Sequence, residues 1–226
     1  MEQKLQHLGI IMDGNRRWAK ARGLSAFEGH RAGYRKIEDI LKWCRDAGIK
    51  ILTLYVFSTE NWQRAKDEVD FLMKLFYLAF TRDIKELHKN NVCVRVIGRK
   101  EGLSKKLQEV IKKSEELTKN NTGGMLNLAI NYGGRQEVVD AFNKILKSPL
   151  KEITEEIILQ NLYTAGLPDP DLIIRTSGEF RISGFLLWQS AYSEFYFTKH
   201  HWPEFSKHDF DDALADFANR QRRFGK

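Results

Sequence analysis

The strongest constraint on this chain is an alternation. Short apolar runs at 8–12, 50–57 ("KILTLYVF"), 92–98 ("VCVRVIG"), 126–131 ("LNLAIN"), 171–176 ("DLIIRT") and 194–198 ("EFYFT") are separated by longer stretches of helical periodicity. Those stretches are 31–47, 67–89, 104–119, 133–147, 154–163 and 206–222. The first carries Ile37, Ile40, Leu41 and Cys44 on one face with Gly48 as its stop, and the last opens at Ser206 and carries Phe210, Leu214 and Phe217. The runs are too short for helices and mostly apolar throughout rather than alternating, so they read as strands covered on both faces. Strands of that kind, joined through helices, build a parallel sheet in an α/β fold. No repeat, low-complexity tract or linker interrupts the pattern, which makes residues 1–226 one domain.

The ends of the strands carry the chemistry. Asp13-Gly14-Asn15-Arg16-Arg17 follows the first, Ser58-Thr59-Glu60-Asn61-Trp62 the second, Asn131-Tyr132-Gly133-Gly134-Arg135 the fourth, and Arg175-Thr176-Ser177-Gly178-Glu179-Phe180-Arg181 the fifth. Ligands of open parallel sheets bind at the carboxyl edge, where loops and helix amino termini converge. Arg16, Arg17, Arg64, Arg175 and Arg181 gather there, and arginine forks match phosphate oxygens. Asp13, a lone carboxylate among them, has the chemistry to hold Mg²⁺ together with substrate phosphates. In outline this is a diphosphate–magnesium site. For each arginine alone a surface ion pair is the plainer reading; the concentration of the set after strands is what argues for a site. Asp13 also reads as an N-cap for a helix beginning near Asn15, and His30 as a hydrogen-bonded structural histidine.

Other signals narrow the class. There is no phosphate-binding loop of the Gly-x-x-x-x-Gly-Lys type and no dinucleotide fingerprint. His200-His201 lack further ligands at metal spacing. Cys44 and Cys93 sit among apolar neighbours and read as thiols of a reducing cytosol. A formal net charge of +7 invites anions without choosing among nucleic acid, lipid headgroups and phosphorylated small molecules. No apolar run reaches the roughly 18 residues of a membrane span, and no secretory leader pattern opens the chain. The run "FLMKLFYLAF" (71–80) is apolar nearly all round. It reads either as a core helix or as the wall of a cavity for an apolar ligand.

Taken together, "HLGIIMDGNRRWA", "LTLYVFSTENWQR" with Glu68 beyond it, "NYGGRQE" and "DLIIRTSGEFRISGFLLWQSAYSEFYF" resemble the cis-prenyltransferases, the family of undecaprenyl (di-trans,poly-cis) diphosphate synthase. The resemblance runs from His7 to the terminal "RRFG". It implies a single α/β domain with a mostly parallel six-stranded sheet flanked by helices, a homodimer, and Mg²⁺-dependent condensation of isopentenyl diphosphate onto an allylic diphosphate such as farnesyl diphosphate with Z stereochemistry. By motif position it implies that Asp13 handles Mg²⁺ and the allylic diphosphate, which Gly14, Asn15, Arg16, Arg17, Trp18 and His30 cradle. Asn61, with Ser58 nearby, stands where a residue helps remove the proton from the condensing unit. Thr59, Glu60, Trp62 and Arg64 complete that loop. Arg175, Arg181, Ile182 and Ser183 would hold isopentenyl diphosphate, Glu194 would give a second metal contact, and Arg223 would reach the partner subunit's site. A cytoplasmic enzyme with peripheral membrane association through its lipid product is the expected setting.

The sequence departs from the family pattern in places. Ala26 stands where the family usually has arginine, so one phosphate ligand is missing or comes from Arg22 or Arg31. Ala65 replaces a common proline and Gly184 an asparagine, and Val56 stands where alanine is frequent. If Val56 borders the growing tail, its bulk shortens the product. A short-chain Z-prenyl synthase is therefore an alternative. A noncatalytic partner subunit is a further one, against which Asp13, Arg175, Arg181 and Glu194 argue. A basic nucleic-acid binder would need an exposed basic stripe interleaved with aromatics rather than arginines clustered with glycines in loops.

Overall fold

The computed structural model describes residues 4–147 and 152–220. Its six strands are β1 (His7–Ile11), β2 (Ile51–Ser58), β3 (Val92–Ile97), β4 (Gly124–Tyr132), β5 (Leu172–Arg175) and β6 (Glu194–Phe197). They form one sheet in the order β3-β4-β2-β1-β5-β6 with every pairing parallel. The expected α/β architecture holds, with an entirely rather than mostly parallel sheet.

Strand composition explains the order. β1 is buried along its whole length between β2 and β5, whereas β6, at an edge, is half-buried throughout. The two-residue period sorts side chains to opposite faces. Leu8, Ile10, Leu172 and Ile174 join the larger core, while Ile11 and Ile173 join a smaller one with Tyr132, Phe185 and Leu186.

The helices are α1 (Asn15–Lys20), α2 (Ala26–Asp46), α3 (Lys66–Leu78), α4 (Ile84–Lys89), α5 (Lys105–Thr118), α6 (Gly134–Ile145), α7 (Glu155–Asn161) and α8 (Lys207–Asn219). α2 begins five residues before the helix expected from periodicity. Ser25 and Glu28 form a reciprocal capping box at its start, and Gly29 lies inside the helix because α1 presses on it: a Cβ there would stand 2.2 Å from the Asn15 carbonyl oxygen. The stretch expected as one helix over 67–89 is α3 and α4 joined by a π turn at Ala79–Asp83. That turn keeps Leu72, Phe76, Phe80 and Ile84 on the buried side. α8 opens at the Ser206 N-cap, as its sequence indicates.

β1 and β5 are neighbours, but the chain leaves β1 towards β2 and leaves β5 towards β6. Their carboxyl ends therefore diverge at a switch point, where an open α/β sheet leaves a crevice. The site lies there.

Candidate active site

Register brings Ile11 of β1 beside Arg175 of β5, so the residues that follow converge. Gly14 turns the chain at φ +101°, which lets α1 start at Asn15 and frees Asp13 from any capping duty. The Asp13 main chain is held from behind: its carbonyl accepts from Thr176 Oγ1 at 2.7 Å and from Trp202 N at 3.0 Å. Its carboxylate lies 2.9 Å from Arg175 Nη2 and 3.1 Å from Arg17 Nη2. Burial pushes the Asp13 carboxyl up, but the Arg175 hydrogen bond and the Arg17 and Arg175 charges outweigh it and leave the group below the usual carboxylate range. Arg175 is buried, and its Nη1 donates to Ser183 Oγ at 2.8 Å and to the Arg181 carbonyl.

A second charge cluster flanks this one. Glu68, buried on α3, meets His30 Nε2 at 3.0 Å, Arg64 Nη1 at 3.1 Å and Arg16 Nε at 3.8 Å. Burial lowers the His30 pKa, and the neighbouring Glu68 carboxylate only partly opposes that. His30 is thus both the hydrogen-bonded histidine that the sequence allowed and a wall of the crevice.

The crevice is a cavity of about 1430 Å³. Asp13, Gly14, Asn15, Arg16, Arg17 and His30 line one side; Ser58, Thr59, Glu60, Asn61 and Arg64 line another; Arg175, Ile182 and Ser183 line a third. Asn61 is fixed by accepting the Ser58 N–H at 3.2 Å. Apolar wall comes from Met12, Val56, Leu72 and Leu187. Of the apolar run 71–80 only Leu72 reaches the cavity, and the rest of its buried face packs in the core.

Several expected residues stand elsewhere. Trp62 Nε1 donates to Asn131 Oδ1 at 2.7 Å and its ring packs edge-on against Phe57, so it braces the loop rather than lining the cavity. Trp18 lies outside the wall, beneath the Arg22 guanidinium at 4.6 Å. Arg181 is exposed and paired with Glu179 at 2.5 Å. Glu194 begins β6 at the amino edge of the sheet, roughly 10 Å along the strand from the carboxyl edge. There it pairs with Arg220 at 2.7 Å, so the fold does not bring it to Asp13. Arg223 lies outside the described residues. Neither proposed substitute for Ala26 faces the cavity: Arg22 is bound to Glu204 and Arg31 lies over Phe71. Lys20, Tyr55, Arg135 and Gln136 also line the cavity; the last three lie in the motif stretches "LTLYVFSTENWQR" and "NYGGRQE", though none was expected to be a ligand.

Among the described residues no three His, Cys, Asp or Glu side chains group as a metal cage. The donor set on the wall is Asp13 with Glu60 amid cations. That fits an ion such as Mg²⁺, which takes one or two protein carboxylates and fills its shell with phosphate oxygens and water.

A family model described as "Putative undecaprenyl diphosphate synthase" matches residues 11–225. The chain belongs to this prenyltransferase family. Isoprenyl transferases from Thermotoga maritima and Clostridium tetani are 51% and 49% identical to it, each over 97% of this chain and over 96% and 89% of their own lengths. The crystal structure of lavandulyl diphosphate synthase from Lavandula x intermedia in complex with dimethylallyl diphosphate superposes with a TM-score of 0.94 at 39% identity, covering 98% of both chains. A probable undecaprenyl diphosphate synthase from Campylobacter jejuni gives 0.84 at 37% identity, covering 99% of this chain and 100% of that one. The prenyltransferase fold and the motifs at its switch point thus occur together over nearly the whole chain. Among the described residues no helix is long and apolar enough to cross a membrane.

Proposed function

We propose that this protein condenses isopentenyl diphosphate onto an allylic diphosphate such as farnesyl diphosphate, forming a Z double bond at each addition. The observation that carries the reading is the Asp13–Arg175 pair at the mouth of a cavity with cationic loops and an apolar wall. Gly14, Asn15, Arg16, Arg17 and His30 cradle the allylic diphosphate, and Asp13 would hold Mg²⁺. When bound, Mg²⁺ would supply neutralisation of the charge that builds on the departing diphosphate. Arg17 and Arg16 add fixed positive charge at that leaving group. Arg175 and Ser183 hold the isopentenyl diphosphate so that its alkene lies over the allylic carbon. Asn61 is too weak a base to keep the proton leaving the five-carbon unit, and relays it to a phosphate oxygen or water.

A cavity of about 1430 Å³ exceeds the roughly 300–1,000 Å³ of ordinary small-molecule sites, which supports a long apolar product. The short-chain alternative draws support from Val56 on the cavity wall and from the likeness to the lavandulyl enzyme. Homodimer formation is part of the proposal, supported by Val139 and Phe142 of α6 and Leu146 at its C-cap, which lie exposed. The protein acts in the cytoplasm, meeting the membrane through its lipid product. Incubation with labelled isopentenyl diphosphate, Mg²⁺ and geranyl, farnesyl or geranylgeranyl diphosphate, with products separated by length, tests the reading. A ladder to long polyprenols supports the long-chain form and a single short product the alternative. No incorporation with any primer contradicts both.

A further inference from the structure

Arg181, expected to help grip the five-carbon diphosphate, points to Glu179 instead, which leaves Arg175, the last residue of β5, as the one guanidinium that this strand and the loop after it put on the cavity wall. The same wall carries a cation that nothing has claimed. Of the cations lining the cavity, only Lys20 and Arg135 have no partner among the described residues. Arg135 belongs to the first turn of α6, a twelve-residue helix whose Gly133 N-cap makes no side-chain hydrogen bond. The first turn of a helix presents backbone N–H groups without intrahelical acceptors, and here those of Arg135 and Gln136 are left uncapped by any side chain.

This turn is joined directly to Arg175. Gly134 N donates to the Gly184 carbonyl at 2.8 Å, and the preceding residue, Ser183, accepts from Arg175 Nη1 at 2.8 Å. Tyr55 OH ties the same parts together, reaching the Tyr132 carbonyl at 3.2 Å and the Ser183 carbonyl at 3.3 Å. Arg175 itself is 4% exposed, and its Nε lacks any hydrogen-bond partner. An unpaired buried donor is costly, and this one belongs to a guanidinium that lines the crevice.

We propose that the first turn of α6, through Arg135 and its free amides, completes with Arg175 and Ser183 one binding station for an organic diphosphate, that of the five-carbon donor. This rests on the prenyl-transfer reading and adds to it a substrate-binding residue on α6, an element to which that reading gave no ligand. The arrangement explains why the wall carries glycines before an arginine. The helix terminus gives directed N–H groups and partial positive charge, and Arg135 gives a full charge at the open side.

Steady-state kinetics on the full chain tests it, varying isopentenyl diphosphate at saturating farnesyl diphosphate and then the reverse. Arg135→Ala is expected to raise the KM for isopentenyl diphosphate about 10- to 100-fold, the span of one charge-assisted hydrogen bond, with the farnesyl KM nearly unmoved. Arg135→Lys should recover part of the loss. Unchanged KM values, or an equal rise in both, overturn the station. If the wild-type protein condenses no primer, the prenyl-transfer reading has failed, and calorimetry with inorganic pyrophosphate tests the station alone. Weaker binding by Arg135→Ala then supports it, and equal binding overturns it.

Discussion

Gly14 is the residue on which the shape of the site turns, and replacing it with alanine gives a prediction with a calculable size. Its φ of +101° is one that L side chains avoid, at a cost of about 1–2 kcal/mol. A Cβ at that position would stand 1.9 Å from Ser177 Oγ and 2.7 Å from His201 Nδ1. Ser177 must then move, which ends its 2.7 Å hydrogen bond to His201 and costs about 0.5–1.5 kcal/mol more. Gly14→Ala should therefore destabilise the protein by about 1.5–3.5 kcal/mol, a fall in Tm of about 3–14 °C for a chain of this size. The Ser177 contribution is separable. Ser177→Ala alone loses only the hydrogen bond, so the double variant should be no less stable than Gly14→Ala instead of showing the sum of the two. Urea unfolding of the four proteins measures this. A Gly14→Ala change smaller than about 0.5 kcal/mol, or full additivity, would refute the account of the turn.

Further outcomes follow from the same structure. Burial lowers the pKa of both His7 and His30 below the ordinary histidine value. A proton is then bound more readily by the unfolded chain, so their stabilising contribution is complete above about pH 6.5 and is lost as pH falls through the lower folded values. Urea midpoints should decline on acidification below neutrality; a flat profile between about pH 7 and 5 would contradict the burial of these rings. Glu68→Gln leaves the Arg16 and Arg64 charges without their carboxylate and should cost about 1.5–3 kcal/mol. It should also lower the His30 pKa further, which imidazole NMR titration reads directly; an unmoved titration would remove Glu68 as its partner. Thr176→Val should loosen the Asp13 carbonyl and depress turnover, while Thr176→Ser, keeping the hydroxyl, should restore it. Equal turnover in the two variants would detach Thr176 from the site.

The parallel sheet was legible because buried strands such as "LTLYVF" and "LIIR" are apolar without alternation, and the carboxyl-edge site because polar, arginine-bearing loops recur after them. Residues whose duty is set by backbone direction could be read that way, as with Arg175, which ends β5 in register with Ile11 of β1, and Asp13, two residues beyond that strand end. What could not be read depends on which way a side chain turns. Trp62 and Trp18 belong to motif stretches, yet the one bonds Asn131 and the other lies under Arg22 rather than lining the cavity, and Arg181 turns outward to Glu179. Glu194 belongs to a conspicuous motif, but parallel register sets it at the opposite edge of the sheet. The capping pattern Ser25-x-x-Glu28 was present in the sequence and was masked by glycines, which serve close packing of α1 on α2. A lone basic residue in a helix, such as Lys20, carries no sequence signal, and for Arg135 the strand-end loop "NYGGR" marked the edge while only the cavity shows that the side chain lines it.

The most direct test of the central claim, that prenyl transfer occurs where Asp13 meets Arg175, is a single-turnover comparison of the wild-type protein with Asp13→Asn. Labelled isopentenyl diphosphate, farnesyl diphosphate and Mg²⁺ would be mixed with enzyme in excess and the first condensation product quantified over time. Unfolding midpoints would be recorded alongside, since Asn can still accept from Arg175. The account predicts a folded variant whose condensation rate is lower by about 10²–10³-fold, the scale for losing one electrostatic contact to developing charge. A folded Asp13→Asn protein that forms product at the wild-type rate would contradict it.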